Sequence, residues 1–77
     1  MNQTWIGGVR MEGKLRISLE ACRVNARLKQ SELAEKLGVS VQTIGNWESG
    51  RSEPNMSQLR EISDITEIPM DYIFVPK

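Results

Sequence analysis

Gln42 and Asn46 stand four residues apart in a stretch whose apolar spacing is helical, which places both side-chain amides on one outward stripe. Each amide donates and accepts at once. That chemistry suits the N6/N7 edge of adenine in the major groove of duplex DNA, where a well-seated bidentate pair discriminates by roughly 1–3 kcal/mol. Two amides on an arbitrary exposed helix would be ordinary solvated residues, so the surrounding sequence has to decide between the readings. Other chemistry is poorly provided for. The chain has no His and a single Cys, Cys22, and no run of ligand-type residues at metal spacing. Neither a metal, nor a cofactor, nor a small-molecule ligand is expected, and an enzyme is not.

The elements that would position the amides follow from periodicity and caps. Ser18 is a good N-cap for a first helix in which Leu19, Cys22 and Ala26 share a stripe, with Leu28 beyond it. A second helix is expected from about Gln30 to Leu37, with Leu33, Ala34 and Leu37 inward and Gly38 as its left-handed stop. Ser40 caps a third, Val41 to Ser49, with Ile44 and Trp47 on the buried side and Gly50 as terminator. Pro54 precedes Asn55 as the N-cap of a fourth, Gln58 completes a capping box, and Met56, Leu59, Ile62 and Ile65 are placed inward. Pro69 suits the start of a fifth, short helix whose Met70, Ile73 and Phe74 would close the core before Pro76 stops it.

Residues 1–16 hold three of the six glycines and no sustained period, so they read as a short irregular arm: flexible, or a short hairpin around Glu12-Gly13-Lys14. Residues 17–77 form the domain. Seventy-seven residues bury a modest core and put function on the surface. The formal net charge is zero but polarised. Residues 1–51 carry eight basic and five acidic groups, and residues 52–77 carry two basic and five acidic, so one face can meet phosphate while the other repels it. No stretch reads as a secretory signal or a membrane span, and a cytoplasmic protein without a membrane partner is expected.

The informative stretch is QSELAEKLGVSVQTIGNW, Gln30 to Trp47. Two short helices joined by a turn of this length cross steeply, which requires a small residue at the crossing, Ala34, and a glycine at the turn, Gly38. Val39, Ile44 and Trp47 then hold the second helix against the first and leave its other side free. With Gln30, Ser40, Glu48, Gly50 and Pro54 at matching intervals, the chain from about Ile17 to Val75 resembles the Cro and phage-repressor (XRE) helix-turn-helix family. The resemblance implies an all-α, compact five-helix lambda-repressor-like domain that docks its third helix on duplex DNA.

The resemblance also assigns roles. Base contacts are expected from Gln42 and Asn46. Val41 is either a partner for a thymine methyl or filler. Phosphate contacts are expected from Gln30, where the family has a phosphate-binding amide, and from Lys29, Thr43 and Arg51 at the helix ends, although Arg51 reads nearly as well as a solvated loop charge. Arg23 and Glu48 stand where relatives form a partly buried, structural ion pair. Arg10, Lys14 and Arg16 are either a DNA-reaching arm or incidental charge. Two departures are visible: Lys29 replaces the usual Ser or Thr cap of helix two, and Glu67 replaces the usual Gly after helix four. Gly45 inside the third helix is costly, and its missing side chain would permit close approach of a base edge or backbone.

The function expected is therefore sequence-specific, double-stranded DNA-binding transcription regulation, as a repressor of phage or prophage type. A homodimer on a palindromic site is expected, because two or three base contacts per copy discriminate weakly. Its surface is either the C-terminal region with Tyr72 and Phe74 or the arm with Trp5 and Ile6. The competing reading is an antitoxin-like or antirepressor-like protein-interaction module on the same fold, which the neutral charge and the lack of Lys or Arg on the third helix keep open.

Overall fold

A computed structural model describes residues 5–6, 9–10 and 16–76 of the chain. Among them are four α-helices, α1 (Leu19–Asn25), α2 (Gln30–Leu37), α3 (Val41–Ser49) and α4 (Met56–Thr66), and local chemistry accounts for where each begins. The Ser18 hydroxyl oxygen accepts from the Ala21 N–H at 3.0 Å, and Ser40 does the same for Thr43 at 3.1 Å. Asn55 and Gln58 form a reciprocal capping box, with both bonds at 2.8 Å.

The ends share one device, a residue in the left-handed region. Gly38 (φ 70°) follows α2 and Gly50 (φ 85°) follows α3, but Arg27 (φ 62°) follows α1 and Glu67 (φ 61°) follows α4. In α1 the Leu28 N–H reaches the Arg23 carbonyl and the Arg27 N–H reaches that of Val24, so the cap forms although no glycine is present to relieve its backbone.

The helices enclose a core of Leu19, Leu33, Ala34, Ile44, Trp47 and Ile62, extended at its edge by Leu28, Leu37, Val39, Leu59, Ile65, Ile73 and Val75. Cys22 is wholly buried, and its thiol faces the Ile17 carbonyl at 3.8 Å. Burial pushes that thiol up to about 11, so it stays a neutral, apolar filler. One side chain of α4 departs from expectation. Met56 is 61% exposed, since it opens the helix beyond the reach of the core. Thr66 is buried instead, its hydroxyl satisfied by donating to the Ile62 carbonyl at 2.7 Å.

The expected fifth helix is corrected. Met70–Tyr72 makes one 3₁₀ turn, after which Ile73–Phe74 extends and pairs in parallel with Ile17–Ser18, in the register Ile17↔Ile73 and Ser18↔Phe74. Only six residues separate Pro69 from Pro76, too few to repay helix nucleation. The β-branched Ile73 and the free backbone edge at Ile17–Ser18 favour strand pairing. Phe74 accordingly is not core. It is 39% exposed and lies under the Arg16 guanidinium, 5.6 Å from the ring centroid.

Within the arm, Trp5–Ile6 pairs antiparallel with Val9–Arg10. The hairpin expected around Glu12-Gly13-Lys14 falls outside the described residues.

Candidate nucleic-acid interface

Helices α2 and α3 are locked at their junction by a complete Schellman arrangement. The Val39 N–H donates to the Ala34 carbonyl at 3.0 Å and the Gly38 N–H to that of Glu35 at 3.2 Å. A side chain at Gly38 would meet nothing within 4 Å, so glycine is needed there for its backbone angle alone. Ala34, 3% exposed, lies at the crossing.

The exit from α3 repeats the device. The Gly50 N–H reaches the Trp47 carbonyl at 3.4 Å, and the Asn46 carbonyl accepts from the N–H groups of Arg51 at 2.9 Å and Ser52 at 3.3 Å. A third donor, the Ser49 hydroxyl, joins them at 3.2 Å. The backbone of Asn46 thus anchors the loop that carries Arg51, which is exposed.

Ile44 and Trp47, 1% and 4% exposed, turn one side of α3 into the core. The opposite side presents Val41, 49% exposed, together with exposed Gln42 and Ser49 and half-buried Gly45 and Asn46. Asn46 therefore lies on the flank of this face and Gln42 near its centre. Ser49 was not singled out from the sequence, although its position seven residues after Gln42 puts it on the same stripe. No residue of α3 is basic.

Around the helix starts, Thr43 is half-buried and its hydroxyl lies 2.9 Å from that of Ser40. One hydroxyl hydrogen is used between the two, which leaves the other for an outside acceptor. Exposed Lys29 occupies the N-cap of α2 and makes no side-chain cap, because an ammonium has no acceptor. Part of that loss is recovered by Glu32, whose carboxylate accepts from the Lys29 N–H at 2.7 Å. The acid three residues after the cap is a signal the sequence carried.

Beneath this surface lies a charged network. Arg23 Nε donates to Glu48 Oε2 at 2.7 Å and Nη2 to Oε1 at 3.3 Å, while Nη1 holds the Leu28 carbonyl at 2.8 Å. The two side chains are 11% and 8% exposed. The hydrogen bond to Glu48 raises the Arg23 pKa further above its ordinary value, so the guanidinium keeps its charge. Gln30 joins the network by donating from Nε2 to Glu48 Oε1 at 2.9 Å. This contact links the start of α2 to the end of α3, and nothing in local spacing announces it. The Gln30 amide nitrogen retains a second hydrogen.

Among the described residues there is no group of three His, Cys, Asp or Glu side chains placed to hold a metal ion. No helix of the described residues is long and apolar enough to cross a membrane.

Residues 19–73 match the family model described as helix-turn-helix. The chain is 42% identical over 53 residues to the HTH-type transcriptional activator BcrR of Enterococcus faecalis, an alignment that covers 69% of this chain and 26% of that protein. It is 34% identical over 56 residues to the uncharacterized HTH-type transcriptional regulator YqaE of Bacillus subtilis, covering 73% of this chain and 48% of that one. A third relative, the SPbeta prophage-derived uncharacterized HTH-type transcriptional regulator YonR of Bacillus subtilis, is 31% identical over 55 residues, covering 71% and 51%. The chain thus spans about a quarter of the Enterococcus protein and about half of each Bacillus protein. No solved structure matches it.

Proposed function

The chain belongs to the helix-turn-helix family, and from that premise we propose that it binds duplex DNA sequence-specifically and regulates transcription, with α3 in the major groove. The observation that carries the proposal is the face of α3. Its apolar side is used up in the core, and its free side presents two amides with no charge of its own. Gln42 and Asn46 read base edges and Val41 makes an apolar contact beside them. Lys29, Arg51, the Thr43 hydroxyl and the second amide hydrogen of Gln30 hold phosphates on either side. Arg23 and Glu48 keep the two helices in register and do not touch DNA. The protein acts as a repressor of phage type, by occlusion. The likeness to a prophage-derived regulator supports this, and because another relative is named an activator, a reporter assay has to read both signs.

Two copies bind a palindromic site with their α3 helices about 34 Å apart. With Lys29 and Arg51 from each copy neutralising phosphates, the logarithm of affinity falls with the logarithm of salt at a slope of about −3.5.

The test begins with selection of preferred duplexes from a random pool. Gln42→Ala combined with Asn46→Ala is expected to erase the preference for selected over random duplex while the far-ultraviolet circular dichroism is kept. An unchanged preference sinks the assignment. Failure to retain any duplex, with capture of a protein partner whose binding ignores salt, would instead favour the interaction-module reading.

A further inference from the structure

Gly45 is the glycine of the helix-turn-helix that the protein's own structure does not require. Gly38 and Gly50 adopt left-handed angles, whereas Gly45 does not. At Gly50 an added Cβ would lie 3.4 Å from Pro76 Cβ, but at Gly45 it would meet nothing within 4 Å. Glycine inside an α-helix is unfavourable relative to alanine, so the residue costs stability without a return from either conformation or internal packing. Any steric demand for it therefore comes from outside the chain.

Its neighbours indicate what that outside group is. Val41, one turn earlier, is 49% exposed. Gln42 and Asn46 border the other side. Between them Gly45 leaves bare helix backbone, its carbonyls and amides paired within α3, with no side-chain atom of Val41 or Gln42 within 4 Å of where a Cβ would stand. The bare backbone at Gly45 itself offers no free donor for a phosphate and no partner for a polar base atom, and α3 carries no basic residue. It suits a small apolar projection, and in the major groove that is the C5-methyl group of thymine.

Building on the DNA-binding reading, we infer that Gly45 is a specificity-determining residue: a thymine methyl seats on α3 at Gly45 against Val41, so each half-site contains one thymine fixed by its methyl group and not by a hydrogen bond. The methyl approaches the helix backbone more closely than any side chain at this position would allow.

The experiment uses the full chain and the duplex selected above. Each thymine of a half-site is replaced in turn by deoxyuridine, which removes only the methyl, and affinity is measured by fluorescence anisotropy for the wild type and for Gly45→Ala. One thymine per half-site is expected to lose about fourfold in wild-type affinity when its methyl is removed. Gly45→Ala is expected to bind the thymine duplex about tenfold more weakly, the effect of a mismatched base, and to show no penalty for uracil at that position. Wild-type affinity and an unchanged thymine-to-uracil ratio in Gly45→Ala would overturn the inference, as would a wild type indifferent to every methyl. Both results leave specific DNA binding intact and so differ from failure of the underlying reading, in which no duplex is selected and the inference falls with it.

Discussion

Replacing Glu48 by Ala separates a structural role from a DNA contact, and the size of its effect can be worked from the network. In the wild type, Glu48 receives two bonds from Arg23 and one from Gln30. Without it, Arg23 remains charged and keeps the Leu28 carbonyl alone, with a side chain 11% exposed in the folded chain. An uncompensated, largely buried charge costs about 3–5 kcal/mol, and the partner lost by Gln30 adds about 1 kcal/mol. Against a total of roughly 4–12 kcal/mol for a domain of this length, Glu48→Ala should leave the chain marginal, with a Tm lower by about 25–35 °C. Arg23→Met combined with Glu48→Met removes both charges into comparable volume and should recover all but about 1–2 kcal/mol. The assay is urea unfolding followed by circular dichroism, with m values compared to confirm that the same surface is exposed. A loss below about 1 kcal/mol in Glu48→Ala, the range of a solvated surface pair, would refute the reasoning. So would a double variant no more stable than the single one.

Two further outcomes follow from the caps and the core. Glu67→Gly removes a side chain from a left-handed position and should raise stability by about 0.5–1 kcal/mol in thermal unfolding, the strain relieved outweighing the added freedom of the unfolded chain; an unchanged or lower Tm would contradict it. For Cys22 the folded-state value of about 11 lies above the ordinary 9.0, so the folded chain binds more protons between these values and stability is full below pH 9 and declines as pH rises toward 11. The stability gap between wild type and Cys22→Ala should shrink by about 2 kcal/mol from pH 8 to 11; parallel pH profiles would argue against it.

Much of the framework was legible because its causes are local. Ser18, Ser40 and the Asn55–Gln58 box each satisfy an N–H three residues away, and Gly38 and Gly50 stop α2 and α3 through bonds that reach back no more than six residues. Such interactions depend on residue type and spacing, so the helix limits and the free face of α3 could be read directly. Glu67 was recognised as an unusual terminator from the family resemblance, which puts a glycine there. Arg27 was not, since the left-handed position itself carries neither glycine nor asparagine.

The fate of residues 70–74 was decided elsewhere. Apolar residues before a proline are compatible with a helix or a strand, and the choice fell to strand because Ile17–Ser18 offers unpaired backbone to Ile73–Phe74 across the chain. Met56 shows the same limit in reverse: its spacing placed it inward, yet the helix starts beyond the core and the side chain is 61% exposed. The amide of Gln30 was assigned to phosphate from a resemblance, while its bond to Glu48 spans 18 positions and exists only once α2 and α3 have crossed. Sequence by itself determined where α1 to α4 begin, where α2 and α3 stop and which residues of α3 face outward, because those properties are set by bonds within about one turn. Tertiary structure decided the strand pairing, the tie from Gln30 to Glu48 and the open space at Gly45, because each depends on what a distant part of the chain brings, or fails to bring, to the same place.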